Sequence, residues 1–174
     1  MLLPLARAPA IRTGDRVMQV SADIAVGRAL LRLGAYPDAL KTCRAALEAA
    51  RAIDRSDEID KASDCLIESL APLGMFKDLE PLVAERIAAK TSLLGADHPN
   101  VADLLGVRAQ IEMIHGQLDL ARKDAERSLE IARRAYPAHH VKIAEKLKVM
   151  GQLSAAEGKV AEAKRLYEQA LAIA

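Results

Sequence analysis

Four glycines recur along this 174-residue chain at nearly constant intervals: Gly34, Gly74, Gly116 and Gly158, spaced 40, 42 and 42 residues apart. Each follows a helix-forming stretch and stands a few residues before another. A glycine at such a place takes the left-handed conformation that ends a helix, so the recurring unit reads as a helix–turn–helix hairpin. Other positions keep the same register. Two residues after each glycine stand Tyr36, Phe76, Leu118 and Val160, and five after stand Ala39, Leu79, Ala121 and Ala163. Thirteen after stand Leu47, Ile87, Leu129 and Leu171, and seven before stand Gly27, Ile67, Ala109 and Gly151. Tyr167 lies on a second helix, where Cys43, Val83 and Ala125 are its equivalents. Small residues let the helices of a hairpin approach closely, and large ones fill the space around them.

The period predicts helices over 20–33, 37–53, 57–72, 76–93, 99–115, 118–134, 141–157 and 160–174. They group into repeats of about 20–55, 57–94, 99–135 and 141–174, an array over 17–174 preceded by an irregular segment, 1–16. Composition agrees with an all-α fold. Hydrophobic residues make up 51% of the chain and are largely Ala and Leu; the four aromatics are Tyr36, Phe76, Tyr136 and Tyr167. Sheets favour β-branched and aromatic residues, whereas closely packed helices favour Ala and Leu.

Between the second and third hairpins the chain reads Leu94-Gly95-Ala96-Asp97-His98-Pro99-Asn100-Val101-Ala102. Pro99 suits a first helical position, and Asp97 or His98 can cap the free amides beside it. The next linker, Tyr136 to Ala144, keeps part of this pattern, and the one before, Ala52 to Asp60, is barely recognisable. There Ser56 holds the place of His98, followed by Asp57 and Glu58 in the first turn, where the helix dipole favours negative charge. Repeat 2 also departs from the pattern with Leu79 for Ala and Arg86 for a small residue.

The 42-residue period and the Leu-Gly-x-x-His-Pro-x-x-Ala linker resemble the tetratricopeptide repeat, in its kinesin-light-chain-like subtype, over roughly 20–174. The resemblance implies an α-solenoid of about four antiparallel helical hairpins wound into a right-handed superhelix. It implies a non-catalytic scaffold that holds a peptide or helical segment on its concave face, lined by the first helix of each hairpin. Carried over residue by residue, that face holds Arg28 and Arg32 in repeat 1; Lys61, Asp64 and Glu68 in repeat 2; Asp103, Gln110 and Met113 in repeat 3; and Glu145, Lys148 and Gln152 in repeat 4. Ser21, Ile24, Leu31, Ala71, Gly106, Ile114, Ala155 and Ala156 belong to the same set. Basic and acidic residues balance there, with no basic cluster for a free peptide C-terminus.

Several function classes are disfavoured. A net charge of +1, from 25 basic and 24 acidic residues, gives no excess with which to bind nucleic acid. No apolar run approaches the ~20 residues that span a bilayer. The glycines do not cluster as in a phosphate-binding loop. The adjacent pair His139-His140 diverges in direction and makes a poor metal site, and no cofactor or catalytic residue is expected. Cys43 and Cys65 are read as two buried hydrophobic thiols in a reduced, cytoplasmic setting. The array stops within the second helix of repeat 4, and Gly14-Asp15 lies where a linker would be. Two explanations stand open: a fragment of a longer protein, or ends covered by another copy in a homo-oligomer. The alternative function is a regulatory or sensor segment of a larger signalling protein, a kinase or ATPase.

Overall fold

The structure, a computed structural model, describes residues 15–173. Among them are eight α-helices, one short 3-10 turn and no strand. The helices are α1 Arg16–Arg32, α2 Tyr36–Ala52, α3 Ser56–Leu70, α4 Phe76–Leu94, α5 Pro99–Ile114, α6 Leu118–Ala135, α7 Val141–Ala156 and α8 Val160–Leu171; the 3-10 turn, Ala71–Leu73, follows α3. The class is all-α, as composition and period indicate. The chain divides into two compact units, one ending at Leu82 and the other starting at Val83, both within α4.

The four register glycines do what their spacing requires. Gly34, Gly74, Gly116 and Gly158 have φ of 72°, 65°, 74° and 78°, the left-handed region that a side chain disfavours. Helix starts follow the local capping chemistry, with three differences from the sequence expectation. First, α1 begins at Arg16 rather than near residue 20, because Asp15 Oδ1 accepts from the amides of Val17 (2.9 Å) and Met18 (3.2 Å). Of the expected irregular segment, 1–16, Asp15 caps the helix and Arg16 begins it, and 1–14 lies outside the described residues. Second, Ser56 is the first residue of α3 and not its cap; Arg55 holds that position, and its side chain bonds to Asp57 rather than to the free amides. Third, α3 gives way to the 3-10 turn at Ala71, where Pro72 has no amide proton to continue the α-helical hydrogen-bond ladder.

In the first unit, α1 packs on α2, α2 on α3, and α1 also meets α3. Its core includes Val20, Ile24, Leu30, Ala39, Ala46, Leu47, Leu66 and Leu70, all buried. Leu79, the large residue in an alanine position, is buried too, so repeat 2 accommodates its irregularity in the core. In the second unit, α5 packs on α6, α6 on α7 and α7 on α8, and α5 also meets α7. Its main cluster gathers Ala109, Ala121, Ala125, Leu129, Leu147, Leu153 and Leu166.

The two cysteines are a correction. Both are buried, as expected, but they are joined as a Cys43–Cys65 disulfide between α2 and α3 rather than standing as separate thiols. The register explains it. Gly27 on α1 faces both sulfurs, and a methyl group there would lie 2.6 Å from Cys43 Sγ and 2.8 Å from Cys65 Sγ. Three helices therefore converge on one point that has no room for a side chain.

Candidate functional site

Each unit carries a cleft on the face made by successive first helices. In the first unit the walls are α1 and α3, and the lining is Ser21, Ile24, Ala25, Arg28, Arg32, Glu58 and Lys61. Arg28 lies one turn beyond Ile24 and Arg32 one turn beyond Arg28, so the three share a face of α1. Glu58 and Lys61 share a face of α3. Glu58 is buried; its Oε1 accepts from Lys61 Nζ at 2.9 Å, while Oε2 is enclosed without a hydrogen-bond partner. The bond to Glu58 raises the Lys61 pKa above its ordinary value. Arg32 is exposed and makes no ion pair among the described residues.

In the second unit the walls are α5 and α7, lined by Asp103, Gly106, Val107, Gln110, Glu145, Lys146, Lys148, Val149 and Gln152. The Asp103 carboxylate bridges two lysines of α7, accepting from Lys146 through Oδ1 and from Lys142 through Oδ2 at 3.2 Å. Lys142 also pairs with Glu145 at 3.1 Å. Burial pulls the Lys142 pKa down, but the Glu145 hydrogen bond and the charge of Asp103 outweigh it and leave the pKa raised. Lys146 is almost fully buried, its stem lying over Gly106. Beside it, Gln110 Nε2 donates to Gln152 Oε1 at 3.1 Å. Those residues are one period apart, so the repeat itself brings their side chains together.

Of the residues carried over by resemblance, Arg28, Arg32 and Lys61 come together in the first cleft. Asp103, Gln110, Glu145, Lys148 and Gln152 come together in the second. Asp64 and Glu68 lie on α3 outside the lining of the first cleft. Met113 also departs from its expected place: it is partly buried and packs against the core cluster of the second unit. Its apolar, flexible side chain gains more from that packing than from a polar cleft. Sequence reasoning missed Glu58, Ala25, Lys146, Val107 and Val149. For Glu58 the sequence points to the helix dipole alone. Lys146 lies one turn from Lys142 and one residue from Glu145, a cue that marks the face but not the burial.

Two of the histidines serve the frame. His98 Nδ1 accepts from the Asn100 amide at 3.1 Å, capping α5, and His140 Nδ1 accepts from the Lys142 amide at 3.1 Å, capping α7. His140 is held by Tyr136, the two rings stacking with centroids 4.3 Å apart. The 42-residue offset from His98 to His140 was the signal for the second cap. Among the described residues no group of three or more His, Cys, Asp or Glu is arranged to hold a metal ion. No described helix is long and apolar enough to cross a membrane.

Comparison with known proteins bears on this architecture. Residues 100–174 match the tetratricopeptide repeat family. No curated protein matches the chain significantly in sequence. Among solved structures, a Podosopora anserina protein of nearly identical TPR-like repeats, described as a kinesin light chain, superimposes with a TM-score of 0.74 at 19% identity, covering 99% of this chain and 83% of that one. A glutamine-to-methionine variant of that protein gives 0.77 over the same coverage and at the same identity. BtubC (BKLC) from P. vanneervenii gives 0.74 at 19% identity, covering 91% of this chain and 64% of that one, so the chain spans less than two thirds of BtubC's length. At such identities the likeness defines the fold, an α-solenoid of tetratricopeptide type.

Proposed function

We propose that this tetratricopeptide repeat chain, of kinesin-light-chain-like type, is a cytoplasmic scaffold without catalytic activity that holds a peptide or helical segment of another protein on the faces of its first helices. Tetratricopeptide repeats generally mediate protein–protein interaction, so the coarse role follows from the repeat; the location of the contact is the proposal. The observation that supports it is the cleft walled by first helices in each unit. Arg28, Arg32 and Lys148 sit at those clefts without ion-pair partners among the described residues, and polar groups uncommitted within the chain are available to a partner. Other charges are committed within the chain: Arg108 of α5 pairs with Asp124, Arg122 with Glu157, and Arg127 and Arg134 with Glu130.

The test is quantitative capture from extracts of the source cell with the intact chain and with R28E/R32E. The double charge reversal is expected to lower recovery of a specifically bound protein at least tenfold, with circular dichroism unchanged. Equal recovery by the two forms would remove the first-unit cleft from consideration.

A further inference from the structure

We propose that Cys43 and Cys65 form a reversible thiol–disulfide switch that governs the order of the α1–α3 face of the first unit. The pair fastens α2 to α3 across a sequence separation of 22 residues. What links it to the face above is its placement. Gly27, over both sulfurs, immediately precedes Arg28, which lines the cleft. On α3, Glu58, Lys61 and Cys65 stand at i, i+3 and i+7, so the sulfur lies on the same side of the helix as the cleft residues. The bond therefore lies at the root of the cleft whose walls are α1 and α3.

Reduction proceeds by thiol–disulfide exchange. A thiolate of a dithiol reductant attacks one cysteine sulfur, forming a mixed disulfide and releasing the other cysteine as thiolate, which takes a proton. The reductant's second thiolate then attacks its own mixed disulfide and releases the first cysteine as a thiolate, which is protonated in turn. The protein gains two electrons and two protons, and the dithiol becomes a cyclic disulfide. A disulfide-bearing oxidant such as oxidised glutathione reverses the change. Both sulfurs are fully buried, so exchange requires α1 to lift first, and the couple responds slowly and cooperatively with that opening. Once reduced, the two thiols need van der Waals separation at a point where Gly27 has left no room. In a cytoplasmic setting, disulfides are characteristically transient and redox-sensing rather than permanent.

The consequence for partner capture rests on the proposed function, but the switch itself is measured without any partner. The full chain is equilibrated with oxidised or reduced glutathione, alkylated under denaturing conditions and weighed intact. Two alkylations are expected after reduction and none after oxidation; two in both states would overturn the proposal. Amide hydrogen exchange is then followed in both states. Exchange across 16–32 and 56–70 is expected to rise at least tenfold on reduction, with 99–171 unchanged. A change within twofold in the first unit would sink the coupling of the bond to the face. C43A/C65A should behave as the reduced protein in either buffer, and a redox response in that variant would also overturn the assignment. Should that variant fail to fold, the wild-type comparison decides alone. Loss of redox-dependent exchange refutes the switch; loss of R28E/R32E sensitivity refutes the binding face; neither result implies the other.

Discussion

At the scale of single residues, one pair of positions trades volume in the first, third and fourth hairpins. Seven residues before the turn glycine and nine after it, the pairs are Gly27 with Cys43, Ala109 with Ala125, and Gly151 with Tyr167. A methyl group added at Gly151 would lie 2.9 Å from the Tyr167 ring, and one at Gly27 would meet both sulfurs. The glycines are therefore paired to a bulky neighbour, and the alanine pair of the third hairpin divides the same space evenly. G151A should destabilise the chain by about 1–3 kcal/mol through overpacking, against the gain of up to ~1 kcal/mol that alanine brings to a helix. G151A/Y167A reproduces the Ala109–Ala125 combination and should recover part of the loss. Urea denaturation of the three proteins tests this, and a G151A midpoint at or above wild type would refute the pairing. Both glycines were visible in the sequence as small residues in register. Why they are glycine was not, because the neighbour that demands it differs in each hairpin.

At the scale of elements, helix starts are set by a few atoms. Asp15, His98 and His140 each supply one side-chain acceptor to amides that no helical carbonyl reaches. H98A and H140A should each cost about 0.5–2 kcal/mol, with faster amide exchange confined to the first turn of α5 or α7, whereas H98D should keep most of the stability. An equal slowing or no change at those amides would contradict the capping role. The cap on α5 was legible, since Pro99 announces the helix start. The cap on α7 left a weaker trace, the 42-residue offset from His98 in a linker with Val141 in place of a proline, and the stacking of Tyr136 on His140 follows only from the folded linker. Helix α4 shows the reverse case. It tolerates Pro81 within its length, at the cost of one backbone hydrogen bond, in the residue pair before the division between units.

At the scale of the whole molecule, charges balance in sum but are committed locally, and this shapes stability against pH. Arg122 donates through Nε to Glu157 Oε1 at 2.9 Å and through a second nitrogen to Oε2, and that hydrogen-bonded cation holds the Glu157 carboxyl below its ordinary 4.5. A depressed carboxyl contributes stability that is present above its unfolded value and lost as pH falls through its folded one. The contribution from Glu157 should therefore vanish in acid, below about 4.5. The raised Lys142 works in the opposite direction: its contribution is present below 10.5 and lost as pH rises beyond it. E157Q should cost about 1 kcal/mol at neutral pH and flatten the acid limb of a stability–pH curve measured by urea denaturation. An acid limb of the same slope in both proteins would show that the pair does not matter.

The period, the hairpin unit and the turn glycines were determined by the sequence itself. They depend on local conformational preference and on packing that repeats every 40–42 residues, so they leave a regular trace. The Cys43–Cys65 bond, the Asp103 bridge to two lysines, the Gln110–Gln152 contact and the inward turn of Met113 were decided by tertiary structure. Each depends on which side chains meet when successive helices stack, and stacking distances of a few ångströms are not written in any one repeat. Periodicity identifies the positions that share a face, but which of them pair, and which stay open to another molecule, follows from the volume of every neighbour at once.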